Sequence, residues 1–137
     1  MSVVIDSSVT LAWIYSDERS PPVERVFADV IQTEACVPAI WRLEVANGLQ
    51  QGIRRRRIDK TYRDQAFADL LNLKIITDKD TDTFAWSRTV EFADNFALTS
   101  YDASYLELAH RLRLPLATLD RDLRNAGAAL GLELLGV

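Results

Sequence analysis

Short apolar runs alternate with longer amphipathic stretches along this chain. The runs are three or four residues long and partly β-branched, a pattern typical of strands buried in a parallel sheet. They occupy positions 3–5, 35–37, 74–77, 96–98, 116–119 and 132–135. Between them, apolar residues recur at helical spacing over 8–15, 20–32, 38–52, 58–73, 80–92 and 101–112, and a last helix begins near 120. The alternation predicts an α/β fold with a mainly parallel central sheet and an edge strand at 132–135.

Size and cysteine content narrow the class of protein. The 137 residues suffice for one domain with a buried core, so 1–137 is predicted to be a single domain. Cys36 is the only cysteine, which excludes an internal disulfide, and its apolar neighbours favour a small core residue over a nucleophile. No apolar stretch approaches the ~20 residues that span a bilayer, and no secretory leader precedes the first strand. We expect a cytoplasmic protein without membrane contact.

Histidine chemistry is nearly excluded as well. His110 is the only histidine, and one imidazole without soft ligands nearby cannot build a zinc site. Its position late in an amphipathic helix fits a solvated cation at a helix C-terminus. Carboxylates therefore remain as the main groups for acid–base or metal chemistry.

Four carboxylates lie beside segments that are expected to converge. Asp6 and Asp120 each follow an apolar strand, Asp102 begins a helix, and Glu44 lies within the helix at 38–52. An acid at the carboxyl end of a parallel strand points toward the crevice where open α/β sheets bind ligands. Several acids in one place repel each other unless a cation neutralises them, which is how proteins hold Mg²⁺ or Mn²⁺ against phosphate. The leading hypothesis is a metal-dependent enzyme acting on phosphodiesters.

Each acid also has a purely structural interpretation. Asp and Ser are preferred helix N-caps, so Ser8 is a candidate cap that leaves Asp6 facing the cleft. Thr99 and Asp102 have capping-box spacing. Asp122 is predicted to be a first-turn residue that complements the helix dipole rather than a member of the cleft. Glu44 shares a largely apolar helix face, where burying it unpaired costs several kcal/mol, so a metal partner is modestly favoured there.

The charge is unevenly distributed. The net charge of −4 argues against a protein that coats nucleic acid nonspecifically. Positions 42–63 hold seven basic and two acidic residues, so this segment carries about +5 and the remainder about −9. The run Arg54, Arg55, Arg56 and Arg57 is either a phosphate-contacting patch, a solvated turn at a helix C-terminus, or a contact for an acidic partner protein.

The order and spacing of these residues resemble the PIN-domain ribonucleases, and most closely the VapC-type toxins of prokaryotic toxin–antitoxin pairs. The matching segments are 4–8, 37–47, 98–109 and 114–120. The sequence Tyr-Asp-Ala-x-Tyr-Leu at 101–106 is the most specific of them, and the resemblance extends over essentially the whole chain.

The resemblance implies a three-layer α/β/α sandwich and an acidic site that binds Mg²⁺ or Mn²⁺. It implies hydrolysis of single-stranded RNA by a metal-activated water, homodimers, and an antitoxin that blocks the site. By matching position, Asp6 and Asp102 would be the main metal ligands, with Asp120 and Glu44 completing the cluster directly or through water. Ser8 and Thr118 would support these ligands by hydrogen bonding.

Two rival functions stay open at this point. One is a PIN-like binding module without catalysis, in which the acids hold a structural metal or none. The other is a haloacid-dehalogenase-like phosphatase, which also places an Asp nucleophile after its first strand. That class has a second Asp two residues later, where this chain has Ser8. A receiver-type phosphoacceptor is weaker still, because it needs paired acids in the first loop.

Overall fold

A computed structural model describes residues 2–137 and contains one five-stranded sheet. All its ladders are parallel, and the strand order is β3-β2-β1-β4-β5. The strands are β1 (Val3–Ile5), β2 (Ala35–Val37), β3 (Ile75–Thr77), β4 (Leu116–Ala117) and β5 (Leu134–Leu135). β5 forms one edge, as its sequence predicted. The predicted parallel α/β sheet is therefore confirmed.

Eight helices connect and flank these strands in the described part of the chain. They are α1 (Ser7–Ile14), α2 (Pro21–Gln32), α3 (Trp41–Arg54), α4 (Lys60–Leu71), α5 (Thr81–Phe84), α6 (Arg88–Phe96), α7 (Ser100–Leu112) and α8 (Arg121–Ala129). The chain steps one way from β1 to β3, then returns across β1 to β4 and β5. Because such crossovers are right-handed, the reversal puts α1–α4 on one face and α5–α8 on the other. This arrangement is the predicted three-layer α/β/α sandwich.

The reversal of strand order creates the crevice expected to bind a ligand. β1 lies at the centre of the sheet between β2 and β4, and the two directions of winding diverge from it. Asp6 follows β1, and its backbone N–H donates to the carbonyl of Ala117 in β4 at 3.1 Å. Open α/β sheets bind ligands at the carboxyl ends of the strands at such a switch point. The two predicted strand-end acids, Asp6 and Asp120, follow neighbouring strands there.

Residues from both helical layers fill the core against the sheet. The largest completely buried side chains include Tyr105, Phe27, Ile5 and Leu49. Trp13 stacks on Phe27 with ring centroids 4.4 Å apart, which joins α1 to α2. This packing holds α1 and α7 against the core, and the first turns of these two helices contain residues of the candidate site.

Several predicted elements differ from the observed ones, and α3 and β5 begin later than predicted, at Trp41 and Leu134. Positions 96–98 do not form a strand, because α6 continues to Phe96 and Ala97 ends it in the left-handed conformation, with φ 53°. The helix predicted at 80–92 is interrupted at Ser87, whose backbone is not helical, so it divides into α5 and α6. β4 ends at Ala117 rather than at 119, because the backbone N–H groups of Leu119 and Asp120 donate to the hydroxyls of Ser8 and Thr118 instead of to a neighbouring strand. No helix within residues 2–137 combines the length and apolarity needed to cross a membrane.

Candidate metal centre

Asp6 is a buried carboxylate held by three donors. Its side chain is 3% exposed, and Asp6 itself is the N-cap of α1. Oδ1 accepts hydrogen bonds from Val9 N–H at 3.0 Å and Ser8 Oγ at 2.7 Å. Oδ2 accepts a hydrogen bond from Thr118 Oγ1 at 2.5 Å. The assignment of Ser8 as the cap is therefore wrong: Asp6 caps the helix, because its own carboxylate reaches the free amide of Val9.

The two hydroxyl groups around Asp6 have defined donor directions. Thr118 Oγ1 accepts from the backbone N–H of Asp120 at 3.0 Å, and Ser8 Oγ accepts from the backbone N–H of Leu119 at 2.9 Å. Each hydroxyl has one proton, which it can then donate to the carboxylate. The segment after β4 is thus tied to Asp6 through both hydroxyls. Both hydroxyls therefore hydrogen-bond to Asp6, while their role in supporting a metal ligand stays a prediction of the resemblance.

Burial changes the ionisation of Asp6. Desolvation raises its pKa from 3.8 to about 6, while the hydrogen bonds from Thr118, Ser8 and Val9 lower it, and the negative charge of Asp102 raises it further. The carboxylate form still predominates at neutral pH. A nearby cation would relieve both unfavourable contributions.

Asp102 is the acid that interacts electrostatically with the others. It lies in the first turn of α7, where its backbone N–H donates to Thr99 Oγ1 at 3.1 Å, so Thr99 is the helix cap. Partial burial raises the pKa of Asp102, and the charges of Asp120 and Glu44 raise it further. Asp102 thus interacts electrostatically with the three other predicted ligands, including Asp6.

Glu44 has a partner that the sequence analysis missed. The hydroxyl of Tyr105 donates to Glu44 Oε1 at 2.6 Å, across the gap between α7 and α3. Tyr105 is completely buried. Burial, followed by the hydrogen bond and charge of Glu44 and the charge of Asp6, raises the pKa of Tyr105 far above its ordinary value. The phenol therefore stays a neutral donor. Its position one turn after Asp102 was the only sequence signal.

Asp120 and Asp122 have different roles at the start of α8. Asp120 is the N-cap, with Oδ2 accepting from Leu123 N–H at 2.8 Å, and it is half-buried. Asp122 is exposed in the first turn, as predicted. Its charge is the weakest of the contributions that raise the pKa of Asp102. Asp120 therefore combines capping with membership of the charged cluster.

The donor set fits a hard divalent cation, but the side chains are not preassembled around one. No three Asp, Glu, His or Cys side chains within residues 2–137 are close enough to form a ready-made metal site. Burial nevertheless raises the pKa of Asp6 and of Asp102, and repulsion between Asp102 and the other acids raises it further. Carboxylate oxygens are the ligands that Mg²⁺ and Mn²⁺ prefer. A bound cation would have to draw these carboxylates closer together.

The arginine run lies at the other end of α3 from Glu44. Arg54, Arg55 and Arg56 are exposed, and they make no side-chain hydrogen bond or ion pair with any other described residue. Arg57 differs: it pairs with Glu18 at 2.8 Å. The Arg57 guanidinium also lies 4.1 Å from the ring centroid of Tyr15 and pairs with Asp17 at 3.3 Å. Within this run, the guanidinium groups of Arg54, Arg55 and Arg56 are therefore available to bind another molecule, whereas that of Arg57 is already paired.

Cys36 and His110 lie apart from this cluster. Cys36 is half-buried in β2 and packs against the core, in agreement with the structural interpretation. His110 is in the last turn of α7, with its ring edge against Phe92 at 5.5 Å between centroids. Neither residue contributes to the acidic cleft.

Comparisons with known proteins agree with this architecture. The PIN domain family model matches residues 3–129. The structure is similar to PAE2754 from Pyrobaculum aerophilum, with a TM-score of 0.67 and 22% identity over 92% of this chain and 84% of that one. It is similar to VapBC2 from Rickettsia felis bound to a promoter DNA fragment, with a TM-score of 0.63 and 14% identity over 98% and 97% of the two chains.

A third similar structure is a toxin–antitoxin complex from Klebsiella pneumoniae, with a TM-score of 0.55 and 19% identity over 88% of each chain. A comparison with curated protein sequences gives no match. The family model covers nearly the whole chain. The chain belongs to the PIN domain family.

Proposed function

We propose that this protein is a Mg²⁺- or Mn²⁺-dependent endoribonuclease. The observation that carries the proposal is the electrostatic interaction of four carboxylates from four separate segments at the switch point of the sheet. Burial and mutual repulsion raise the pKa of Asp6 and of Asp102. Shifts of this kind are common at functional sites, where burial and neighbouring like charges perturb the groups that do the chemistry.

The residues that would hold the cation are Asp6, Glu44, Asp102 and Asp120. When bound, a divalent cation supplies Lewis-acid stabilisation of phosphate charge and lowers the pKa of water for attack at neutral pH. The protein's own contribution is positioning. Ser8 and Thr118 orient Asp6, and Asp6 Oδ2 accepts a single hydrogen bond from a protein side chain, which leaves a lone pair on that oxygen available.

The position of His110 means that hydrolysis at the acidic cluster would not use histidine. His110 lies eight residues after Asp102 on the same helix, about 12 Å along its axis. No imidazole is therefore available to act beside the cluster in the described chain. Proton transfer at this site would depend on the carboxylates and on water.

We also propose that the protein acts as the toxin of a toxin–antitoxin pair. The support is its family and its similarity to a VapBC protein and to a toxin–antitoxin complex. A cognate antitoxin would bind this chain and block the acidic site, and the free protein would be a homodimer. Light scattering of the isolated protein measures directly whether it is a homodimer.

The rival functions make different predictions for the same acids. A binding module without catalysis would bind the metal but cut no RNA. Changing Asp102 would then make no difference in an RNA cleavage assay. A dehalogenase-like phosphatase would form an acyl-phosphate on Asp6. The 3% exposure of Asp6 and its three hydrogen bonds disfavour direct attack on phosphorus.

The test is cleavage of end-labelled structured RNAs by antitoxin-free protein in Mn²⁺, in Mg²⁺ and in EDTA. An Asp102→Asn variant is compared with wild-type protein after circular dichroism has shown equal folding. An exposed Asp122→Asn variant is the matched control, because it removes the same charge from a side chain outside the proposed ligand set.

Cutting that requires the metal, disappears in Asp102→Asn and persists in Asp122→Asn would support the proposed nuclease. Equal cutting by wild-type protein and Asp102→Asn would indicate a contaminant and reject the site. Metal binding without cutting of any RNA by the wild-type protein would favour the binding module.

A further inference from the structure

The exposed surface of α3 connects the acidic cleft to the arginine run. Glu44 is near the start of the helix and Arg54 is its last residue, about 15 Å further along the axis. The exposed residues of α3 are Arg42, Leu43, Asn47, Gln50, Gln51 and Arg54. None of them is acidic, although the whole chain carries a net charge of −4.

Two rows of side chains follow this surface. Leu43, Asn47, Gln50 and Arg54 fall within one narrow arc of the helix, at spacings of four, three and four residues. Glu44, Gln51 and Arg55 form a second row at spacings of seven and four residues. Amide side chains thus lie between the acids at one end and cations at the other.

The cationic end of this surface is a turn that is closed by backbone hydrogen bonds. Arg56 has φ 58°, in the left-handed region where glycine is usual, and its N–H donates to the carbonyl of Ile53 at 3.0 Å. Arg57 N–H donates to the Gly52 carbonyl at 2.9 Å, which closes the turn. The Arg57 side chain is anchored on Tyr15 and Glu18, as described above. The turn therefore presents Arg54, Arg55 and Arg56 outward.

We propose that the exposed face of α3 is the track for a single-stranded RNA whose scissile phosphate lies at the acidic cleft. Arg54, Arg55 and Arg56 bind backbone phosphates of the same strand a few nucleotides away. Asn47 and Gln51 lie between them and can donate to or accept from bases or sugars. The proposal rests on the proposed nuclease function and assigns the footprint of its substrate.

A polyanion fits this surface better than an acidic protein would. Guanidinium groups bind phosphate through paired hydrogen bonds, and three of them lie together without internal carboxylate partners. The cluster is continuous with a neutral polar row that leads to a predicted phosphodiester-cleaving site.

The test measures binding of a short single-stranded RNA in EDTA by fluorescence anisotropy, between about 50 and 200 mM KCl. The variant is Arg54→Gln with Arg55→Gln and Arg56→Gln. A second triple variant replaces the same positions by Lys and keeps the charge. The matched control is Arg25→Gln with Lys79→Gln and Arg113→Gln; these three residues are exposed, and Arg113 has a left-handed φ of 55°, like Arg56.

Each phosphate contact contributes about 0.7 to the slope of log K against log salt for single strands, so three contacts contribute about 2. We expect the Gln variant to lose about 2 from the wild-type slope, and the Lys variant and the matched control to keep it. A Gln variant with the wild-type slope would overturn the proposal. So would a Gln variant that keeps RNA binding but loses binding to poly-glutamate, because the arginines would then contact a protein.

Cleavage of a dinucleotide in Mn²⁺ separates this proposal from the nuclease proposal, because a dinucleotide is too short to reach the arginines. Suppose that the wild-type and Gln proteins cut the dinucleotide equally and have the same slope of log K against log salt for RNA binding. The proposed track is then rejected, and the nuclease function remains. If the wild-type protein cuts neither the dinucleotide nor the structured RNAs described above, but the slopes differ by about 2, the track remains as a binding surface and the nuclease function is rejected.

Discussion

The hydroxyl of Thr118 donates a 2.5 Å hydrogen bond to Asp6 Oδ2, joining residues that are 112 positions apart. The hydroxyl oxygen of Thr118 also accepts a hydrogen bond from the backbone N–H of Asp120 at 3.0 Å. One completely buried side chain therefore orients the central acid and fixes the backbone of a second acid on the neighbouring strand end. Thr118 connects two of the four proposed metal ligands.

Replacing Thr118 with Val should disturb both connections at nearly constant volume. We expect the free energy of unfolding to fall by about 1–3 kcal/mol, because the Asp120 amide and the Asp6 carboxylate each lose a buried partner. The pKa of Asp6 should rise above about 6, since a hydrogen bond that lowers it is gone. Urea denaturation and carbon-detected NMR titration measure these changes. Thr118→Ser is the control, and equal stability of the two variants would contradict the prediction.

Stability in EDTA should depend on pH through Asp6. Its pKa is about 6 in the folded protein against 3.8 for the ordinary group, so the folded state binds more protons between these values. By linkage, the free energy of unfolding then decreases as pH rises from about 4 to 7, and the shift corresponds to about 3 kcal/mol. The contribution of Asp6 is therefore least favourable where the group is ionised.

An Asp6→Asn variant isolates this effect because the amide does not titrate. The difference in unfolding free energy, wild type minus variant, should become more negative across the same pH range. Saturating Mn²⁺ should reduce the trend, since a cation favours the ionised form. Urea denaturation at several pH values supplies the data. A difference that is flat, or that increases with pH in EDTA, would contradict the assigned shift.

The sequence predicted the placement of the strand-end acids but not their contacts. Asp6 and Asp120 were found because an acid after a buried run marks a strand's carboxyl end. Tyr105 was missed because its partner, Glu44, is 61 residues away, and a local pattern contains no information about that distance. The run at 96–98 was mistaken for a strand because three apolar residues fit a helix end equally well, and only the left-handed backbone of Ala97 decides between them.

Removing the hydroxyl of Tyr105 should weaken both metal binding and folding. Tyr105→Phe keeps the buried ring but frees Glu44, at an expected cost of about 1.5–3 kcal/mol for a hydrogen bond to a charged group. Without this donor, Glu44 can leave the cluster, so the dissociation constant for Mn²⁺ should rise about 10- to 100-fold, as for other residues that orient metal ligands. Calorimetric titration measures the affinity.

The neighbouring Tyr101→Phe variant is the control for Tyr105. Tyr101 is 60% exposed on the same helix, so its hydroxyl should contribute little to either property. If Tyr105→Phe is destabilised but binds Mn²⁺ as tightly as Tyr101→Phe, then Tyr105 is structural only, and Glu44 is not held for the metal.

A second buried charge cluster should determine stability without affecting the metal. Arg111 donates to both carboxylate oxygens of Glu107, at 2.9 and 3.0 Å, and to Asp78 Oδ2 at 2.6 Å. The side chains of Glu107 and Asp78 are 4% and 9% exposed. Arg111 is thus the cation that compensates two desolvated acids, and its guanidinium lies 4.7 Å from the ring centroid of Phe84.

Arg111→Met should therefore lower the free energy of unfolding by about 3–5 kcal/mol, because it leaves the Glu107 charge buried without compensation. Adding Glu107→Met should restore part of the loss, since it removes one of the two uncompensated carboxylates, whereas Asp78 still lacks its cation. Lys74→Met is the control: its pair with Glu34 at 3.2 Å is largely exposed and should be worth less than about 1 kcal/mol. Urea denaturation compares the three variants. If Arg111→Met costs no more than Lys74→Met, solvent already screens Glu107, and the cluster does not determine stability.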